Sequence, residues 1–217
     1  MPVARPERWP PLSPEAFAEQ LDVSRETLER LTVYLDLLRR WQPAINLVGP
    51  TTLADPWRRH FLDSAQLVAY LPATAANLVD LGSGAGFPGM VLALLGVRDV
   101  HLIEADRRKA AFLQAVARAT GAQVTIYAER IERMPGRTAA VITARALAPL
   151  PRLLELAERF VAADSVCLLL KGASVACELT SARVSWHMKS EMLPSLSGPT
   201  GVVLQLRGIR RARDRQS

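Results

Sequence analysis

Residues 77–89 read Asn-Leu-Val-Asp-Leu-Gly-Ser-Gly-Ala-Gly-Phe-Pro-Gly, and the fold is decided there. Leu78, Val79 and Leu81 make a short apolar strand interrupted by one carboxylate, Asp80, and the strand runs straight into Gly82, Gly84, Gly86 and Gly89. The apolar run from Met90 to Leu95 that follows reads as a helix. A strand, a tight glycine turn and a helix start bring bare backbone N–H groups and the positive end of a helix dipole to one point. Such a point suits a nucleotide-like ligand.

Two cofactors are compatible with this loop. Read from Gly84, it is Gly84-x-Gly86-x-x-Gly89 with Glu104 about twenty residues further on, the spacing of a dinucleotide fingerprint. Read from Gly82, it is Asp80-x-Gly82-x-Gly84-x-Gly86, the arrangement of proteins that bind S-adenosylmethionine (AdoMet). Charge sign favours the second reading. Asp80 would repel a pyrophosphate, whereas the sulfonium and amino groups of AdoMet favour a carboxylate beside them. Asp80, Gly82, Gly84 and Gly86 are therefore the expected cofactor contacts.

Working outward, the chain alternates strands and helices. Strands are expected at Val100–Ile103, Val124–Tyr127, Ala139–Thr143 and Val166–Leu170, with helices at Arg107–Ala119 and Pro149–Val161. This rhythm implies a mostly parallel α/β sheet covered on both faces. Two closing strands, around Val184–Met188 and Val202–Leu206, have no obvious helix between them and predict an antiparallel hairpin at one edge. Upstream, helix starts are expected at Ser13-Pro14 and at Ser24, the second carrying Leu28, Leu31, Tyr34, Leu35, Leu38 and Trp41 at helical spacing. After Pro43 and a loop from Asn46 to Asp55, another helix is expected near Pro56, with Trp57, Phe61, Ala65 and Val68 on one face. Arg58, Arg59 and His60 cluster beside that face, either as solvated charge or as a contact to phosphates or a reacting base. The expected division is a helical N-terminal extension over 1–72, a cofactor-binding domain over 73–207 and a basic tail over 208–217.

Composition bounds the rest. The chain has 217 residues, 49% of them hydrophobic, enough to bury a full core. Its two cysteines, Cys167 and Cys177, form no CxxC pair and there is no histidine cluster, so neither a disulfide framework nor a metal site is expected. Prolines 6, 10, 11 and 14 interrupt the stretch where a signal peptide would need an apolar run, and no run approaches a membrane span. A cytoplasmic protein without a membrane partner is expected. A net charge of +6 favours a polyanionic partner.

In a parallel α/β sheet, ligands sit beyond the carboxyl ends of the strands. The polar residues there are Asp80, Glu104, the segment from Ala128 to Glu132, Arg145 and Lys171. Glu104 has the offset of a carboxylate that accepts two ribose hydroxyls, with Asp106 a weaker candidate. Arg145 and Lys171 leave buried strands, where an unpaired cation is costly, so each either pairs with a structural carboxylate or faces ligand. Ligand is the favoured reading.

The stretches DPWRRHFLDS (55–64), VDLGSGAGFPG (79–89), LIEADRRKAAFL (102–113), AERIE (128–132), TARALA (143–148) and LLLKG (168–172) together resemble the small-subunit ribosomal RNA guanine-N7 methyltransferase family, also called glucose-inhibited division protein B. The resemblance runs from about Trp41 to Gly172. It implies a class I AdoMet-dependent, Rossmann-like methyltransferase fold behind a helical extension, with a guanine in the 530 loop of 16S ribosomal RNA as methyl acceptor. By position, it places Gly82 and Phe87 at the AdoMet site, Ile131 and Glu132 around the adenine, and Arg145 on the cofactor. Arg59, His60 and Lys171 fall at family positions that face RNA, and Asn46 and Arg58 are grouped with them as substrate contacts. Arg145 and Lys171 are the expected catalytic groups. Guanine N7 has a lone pair and no proton, so these cations are expected to anchor phosphate, guanine O6 or the AdoMet carboxylate and not to take a proton. The sequence departs from the pattern at Ala144, where many relatives carry Ser, and at Pro199-Thr200-Gly201, where a basic residue often stands. The expected partner is 16S rRNA or the small subunit, bound by a monomer. The rival readings are a nicotinamide-dependent reductase using Gly84-x-Gly86-x-x-Gly89, and a non-catalytic RNA-binding assembly factor on the same scaffold.

Overall fold

A computed structural model describes residues 10–73 and 76–212. The Ser13 hydroxyl accepts from the Ala16 N–H and Pro14 opens helix α1 (Pro14–Leu21). Ser24 caps α2 (Arg25–Trp41) in the same way, and α2 buries Leu31, Tyr34, Leu35 and Leu38, the stripe its spacing predicts. A short 3-10 turn at Pro50–Ala54 precedes a change from expectation. The helix after Pro56 is not uniform: it is a π turn (Trp57–Leu62), one turn of α3 (Asp63–Ala65) and a 3-10 turn (Gln66–Tyr70). The tighter final turn puts Leu67 on the face set by Phe61, so Val68, expected there, is exposed.

The sheet elements follow as β1 (Leu78–Leu81), α4 (Gly89–Leu94), β2 (Val100–Ile103), α5 (Arg107–Thr120), β3 (Val124–Tyr127) and β4 (Ala139–Arg145). Then come α6 (Leu150–Ala157), β5 (Val161–Lys171), α7 (Val175–Ala182), β6 (Trp186–Pro194) and β7 (Val202–Arg211). The strand order is β3-β2-β1-β4-β5-β7-β6, parallel through β5 and antiparallel at β7 and β6. The mostly parallel sheet and its edge hairpin are as the sequence implies.

Four details differ. Strand β5 already begins at Val161, the residue where a helix was expected to end. Helix α7 is absent from the sequence reading, because its apolar positions Val175, Leu179 and Ala182 fill only two turns amid Cys, Thr and Ser. Strand β6 starts at Trp186 and reaches Pro194, well past the expected stretch. Strand β7 continues to Arg211, so residues 208–211, read as tail, are sheet. Arg211 is held there by Glu158 at 2.7 and 2.8 Å and lies over the Trp186 ring. Residues 213–217 of the expected tail lie outside the described residues.

One face of the sheet packs with α1, α2, α4, α5 and the Trp57–Tyr70 segment into a cluster that includes Phe17, Tyr34, Phe61, Phe87 and Phe112. The other face packs on α6 and α7 through Leu81, Ile142, Leu154, Phe160 and Leu204. The N-terminal helices thus share a core with the sheet. Among the described residues no helix is long and apolar enough to cross a membrane, and no group of His, Cys, Asp or Glu could hold a metal ion.

Candidate functional site

Strand order reverses between β1 and β4, and a crevice opens beyond the carboxyl ends of strands at such a point. A cavity of about 1070 Å³ lies here, lined by the glycine loop, the ends of β2, β4 and β5, and the Gly49–Asp63 segment.

The loop wall is built by left-handed glycines. Gly82 has φ 62°, and a Cβ there would meet the Leu147 side chain at 2.5 Å. Gly84 has φ 57° with only its own loop nearby, so its backbone stands open to the cavity. Gly86 does something else. A Cβ on it would strike the Tyr34 hydroxyl, and it is not on the cavity wall; its bareness lets the buried Tyr34 phenol donate to the Ala85 carbonyl.

Asp80 also departs from expectation. It is fully buried beneath the loop and off the cavity wall, accepting from the Thr143 hydroxyl at 2.7 Å and the Gly89 N–H at 3.4 Å. Burial pushes its carboxyl up to about 6, against the opposing hydrogen bonds and the charge of Arg145. In this position it braces β1 against β4 and the loop. The charge-sign argument that selected AdoMet therefore does not act through direct contact.

The carboxylate that does reach the wall is Glu104. Its Oε2 accepts from Gly84 N–H at 2.8 Å and its Oε1 from Asp106 N–H at 2.7 Å, which fixes both oxygens while leaving each a second lone pair. Asp106, the weaker candidate, is the N-cap of α5 and accepts from Arg108 N–H. Ile131 is buried on the wall, and Glu132 beside it pairs with Arg152 at 2.8 Å.

The opposite wall centres on Arg145. Its guanidinium carbon stands 4.8 Å from the Phe87 ring centroid, and its Nη1 donates to the Arg59 carbonyl at 3.1 Å and lies 3.5 Å from Asp63 Oδ2. Burial lowers its pKa, opposed chiefly by the charge of Asp63. Asp63 is itself tied down: Oδ1 accepts from Ser197 Oγ at 2.6 Å, Ser195 Oγ at 3.3 Å and Gln66 Nε2 at 3.1 Å. The sequence reading assigned Asp63, Ser195 and Ser197 no part. The only signal for Asp63 was indirect, since a cation leaving a buried strand demands a carboxylate and Asp63 lies in a motif already singled out.

Phe87 is a platform. Tyr34 stacks on it at 5.2 Å and His60 at 4.9 Å. His60 is buried and on the cavity wall, whereas Arg59 on the same turn is exposed and also lines the cavity. Arg58 is turned away, its Nε on Asp55 at 3.0 Å and its Nη2 on the Pro10 carbonyl. Asn46 is exposed and off the wall. Lys171 lines the cavity, but its ammonium is held by the Ala148 carbonyl at 2.9 Å and Glu178 Oε2 at 2.8 Å. It takes the structural-carboxylate option that the sequence left as the less favoured one.

A doubly wound sheet with a glycine loop after β1, a carboxylate after β2 and an antiparallel β7 inserted between β5 and β6 is the architecture of a class I methyltransferase. The family model described as GidB, rRNA small subunit methyltransferase G, matches residues 27–205, and the chain belongs to that family. Ribosomal RNA small subunit methyltransferase G of Rhodospirillum rubrum is 55% identical over 201 residues, covering 93% of this chain and all of that one. The protein of the same name from Rhodospirillum centenum is 56% identical over 193 residues, 89% of each chain. Among solved structures, an MtNAS mutant in complex with S-adenosylmethionine shares the fold at a TM-score of 0.56 and 16% identity, over 90% of this chain and 84% of that one. Membership of this family selects methyl transfer to small-subunit rRNA over the nicotinamide and non-catalytic readings.

Proposed function

We propose that this enzyme moves a methyl group from AdoMet to N7 of a guanine in the 530 loop of 16S rRNA, acting as a monomer. The observation that carries the reading is Glu104, a carboxylate pinned by two backbone N–H groups at the wall of a cavity that holds Arg145 on its other side. The residues present fit AdoMet. Glu104 keeps lone pairs for the ribose hydroxyls, Gly82 and Gly84 leave the loop backbone bare, and Ile131 offers an apolar surface for the adenine. The cavity is just larger than the usual range for a single small ligand, which leaves room for a nucleobase beside the cofactor.

The bound cofactor supplies an electrophilic methyl group on a sulfonium. Everything else falls to the chain. N7 needs no general base, so the enzyme's work is placement, and effective molarity carries much of the rate. Phe87, with Tyr34 and His60 stacked on it, gives a rigid floor. Arg145, fixed by Asp63 and the Arg59 carbonyl, presents its remaining N–H groups to an anion or to guanine O6 without taking a proton. Arg59 at the rim meets phosphate. The test is transfer of label from methyl-tritiated AdoMet to small subunits from cells lacking the gene, with N7-methylguanine located by strand scission. Label at one guanine of the 530 loop is expected. Absence of label, or label at another atom, overturns the reading.

A further inference from the structure

His60 holds a hydrogen-bond acceptor that nothing among the described residues satisfies. Thr52 Oγ1 lies 2.6 Å from the Gly49 carbonyl and 2.8 Å from His60 Nε2. A carbonyl can only accept, so the one hydroxyl proton goes to Gly49, and Thr52 oxygen must accept from a protonated Nε2. Burial, then the charges of Arg145 and Arg59, push the imidazole down to about 3, so the ring is neutral near pH 7 and Nδ1 carries no proton. Among the described residues, no donor reaches that Nδ1, although His60 is only 4% exposed. The ring cannot turn to find one, because it is stacked on Phe87 with 21° between planes and anchored at Nε2. Leaving a buried acceptor unpaired is destabilising, and native proteins rarely tolerate it without an outside donor. His60 lines the same cavity as Glu104 and Arg145.

We propose that His60 Nδ1 is a subsite for an N–H donor of the bound ligands, and that Thr52 is the positioning residue that fixes its tautomer. This inference rests on the methyl-transfer reading. Two groups of the reactants carry such N–H donors: the α-ammonium of AdoMet, and the N1–H and N2–H edge of guanine. If guanine is the source, the subsite also selects the base. Adenine places a bare N1 on that edge, setting lone pair against lone pair, and is rejected.

The experiment compares wild type with His60→Ala, Thr52→Val and Thr52→Ser, reading AdoMet affinity by calorimetry and kcat and KM for methyl transfer to small subunits. His60→Ala and Thr52→Val are expected to lose about tenfold or more in one of the two affinities, and Thr52→Ser, which keeps the hydroxyl, to restore it. A loss in AdoMet affinity assigns the donor to the ammonium. Unchanged AdoMet affinity with a loss in kcat/KM for subunits assigns it to guanine. Ring nitrogen chemical shifts of ligand-free wild type should show Nδ1 unprotonated, with a shift when the donor binds. Variants within twofold of wild type on both readouts, or Thr52→Ser as damaged as Thr52→Val, overturn the subsite. Failure of wild type to transfer methyl groups would instead overturn the function it rests on.

Discussion

The cations that end β4 and β5 occupy equivalent places in the sheet and do different things. Arg145 shares its carboxylate, Asp63, with two serines and a glutamine, stands over an aromatic ring and, among the described residues, keeps N–H groups without a partner at the cavity wall. Lys171 is enclosed by Glu178, which also accepts from Leu150 N–H and Ser174 Oγ, and so staples β5 to the start of α6 and to α7. One is proposed as a ligand group held by the fold; the other is tied into the fold. A cation's place at a strand end therefore does not reveal its task, and the partner of its partner does.

The largest test of that contrast is Arg145→Ala. Methyl transfer should fall by about 100-fold or more in single-turnover kinetics, with the circular dichroism spectrum unchanged. Lys171→Ala should show the reverse pattern. Removing it leaves the half-buried Glu178 without its ion-pair partner, costing about 2 kcal/mol in denaturant unfolding, more than is lost from the chemical step. If Lys171→Ala kept full stability and lost the rate, the contrast would collapse.

Asp80 sharpens the picture from beneath the loop. Its folded pKa of about 6 exceeds the ordinary 3.8, so the folded protein binds a proton that the unfolded chain has released. Stability from this group is full below about pH 4 and is lost as pH rises through 6, a change of order 3 kcal/mol. Asp80→Asn should flatten that slope in unfolding titrations and leave AdoMet affinity within about threefold, since a contact residue would cost more. Glu104→Gln keeps only one acceptor oxygen, so AdoMet should bind about tenfold more weakly in calorimetry. The smallest expected effect is Arg59→Gln, which should lower the slope of log affinity for RNA against log salt by about one.

Much of this was legible in the chain itself. The glycine loop, the offset of Glu104 and the strand–helix rhythm through β5 are patterns of spacing, and the structure places each in the order read. What failed was orientation. β1 is buried on both faces, so its residues carry no in-out alternation, and nothing in the run Leu-Val-Asp-Leu says that Asp80 turns toward Thr143 and away from the cavity. Gly86 was read as a cofactor contact, but the atom that fills the space beside it belongs to Tyr34, on a helix read only as an apolar stripe. Arg58 and Arg59 are neighbours with one formal charge each, and only the fold sends one to Asp55 and the other to the rim.

The sequence alone determined the order of the strands and of every helix but α7, the turn of bare glycines and the acid 20 residues beyond Gly84, because these are patterns of spacing along the chain. Only the tertiary structure decided which polar groups are satisfied within the protein and which are left for a ligand. That distinction turns on contacts of about 3 Å between segments as distant as Asp63 and Ser197, or Thr143 and Asp80, and no local pattern encodes it.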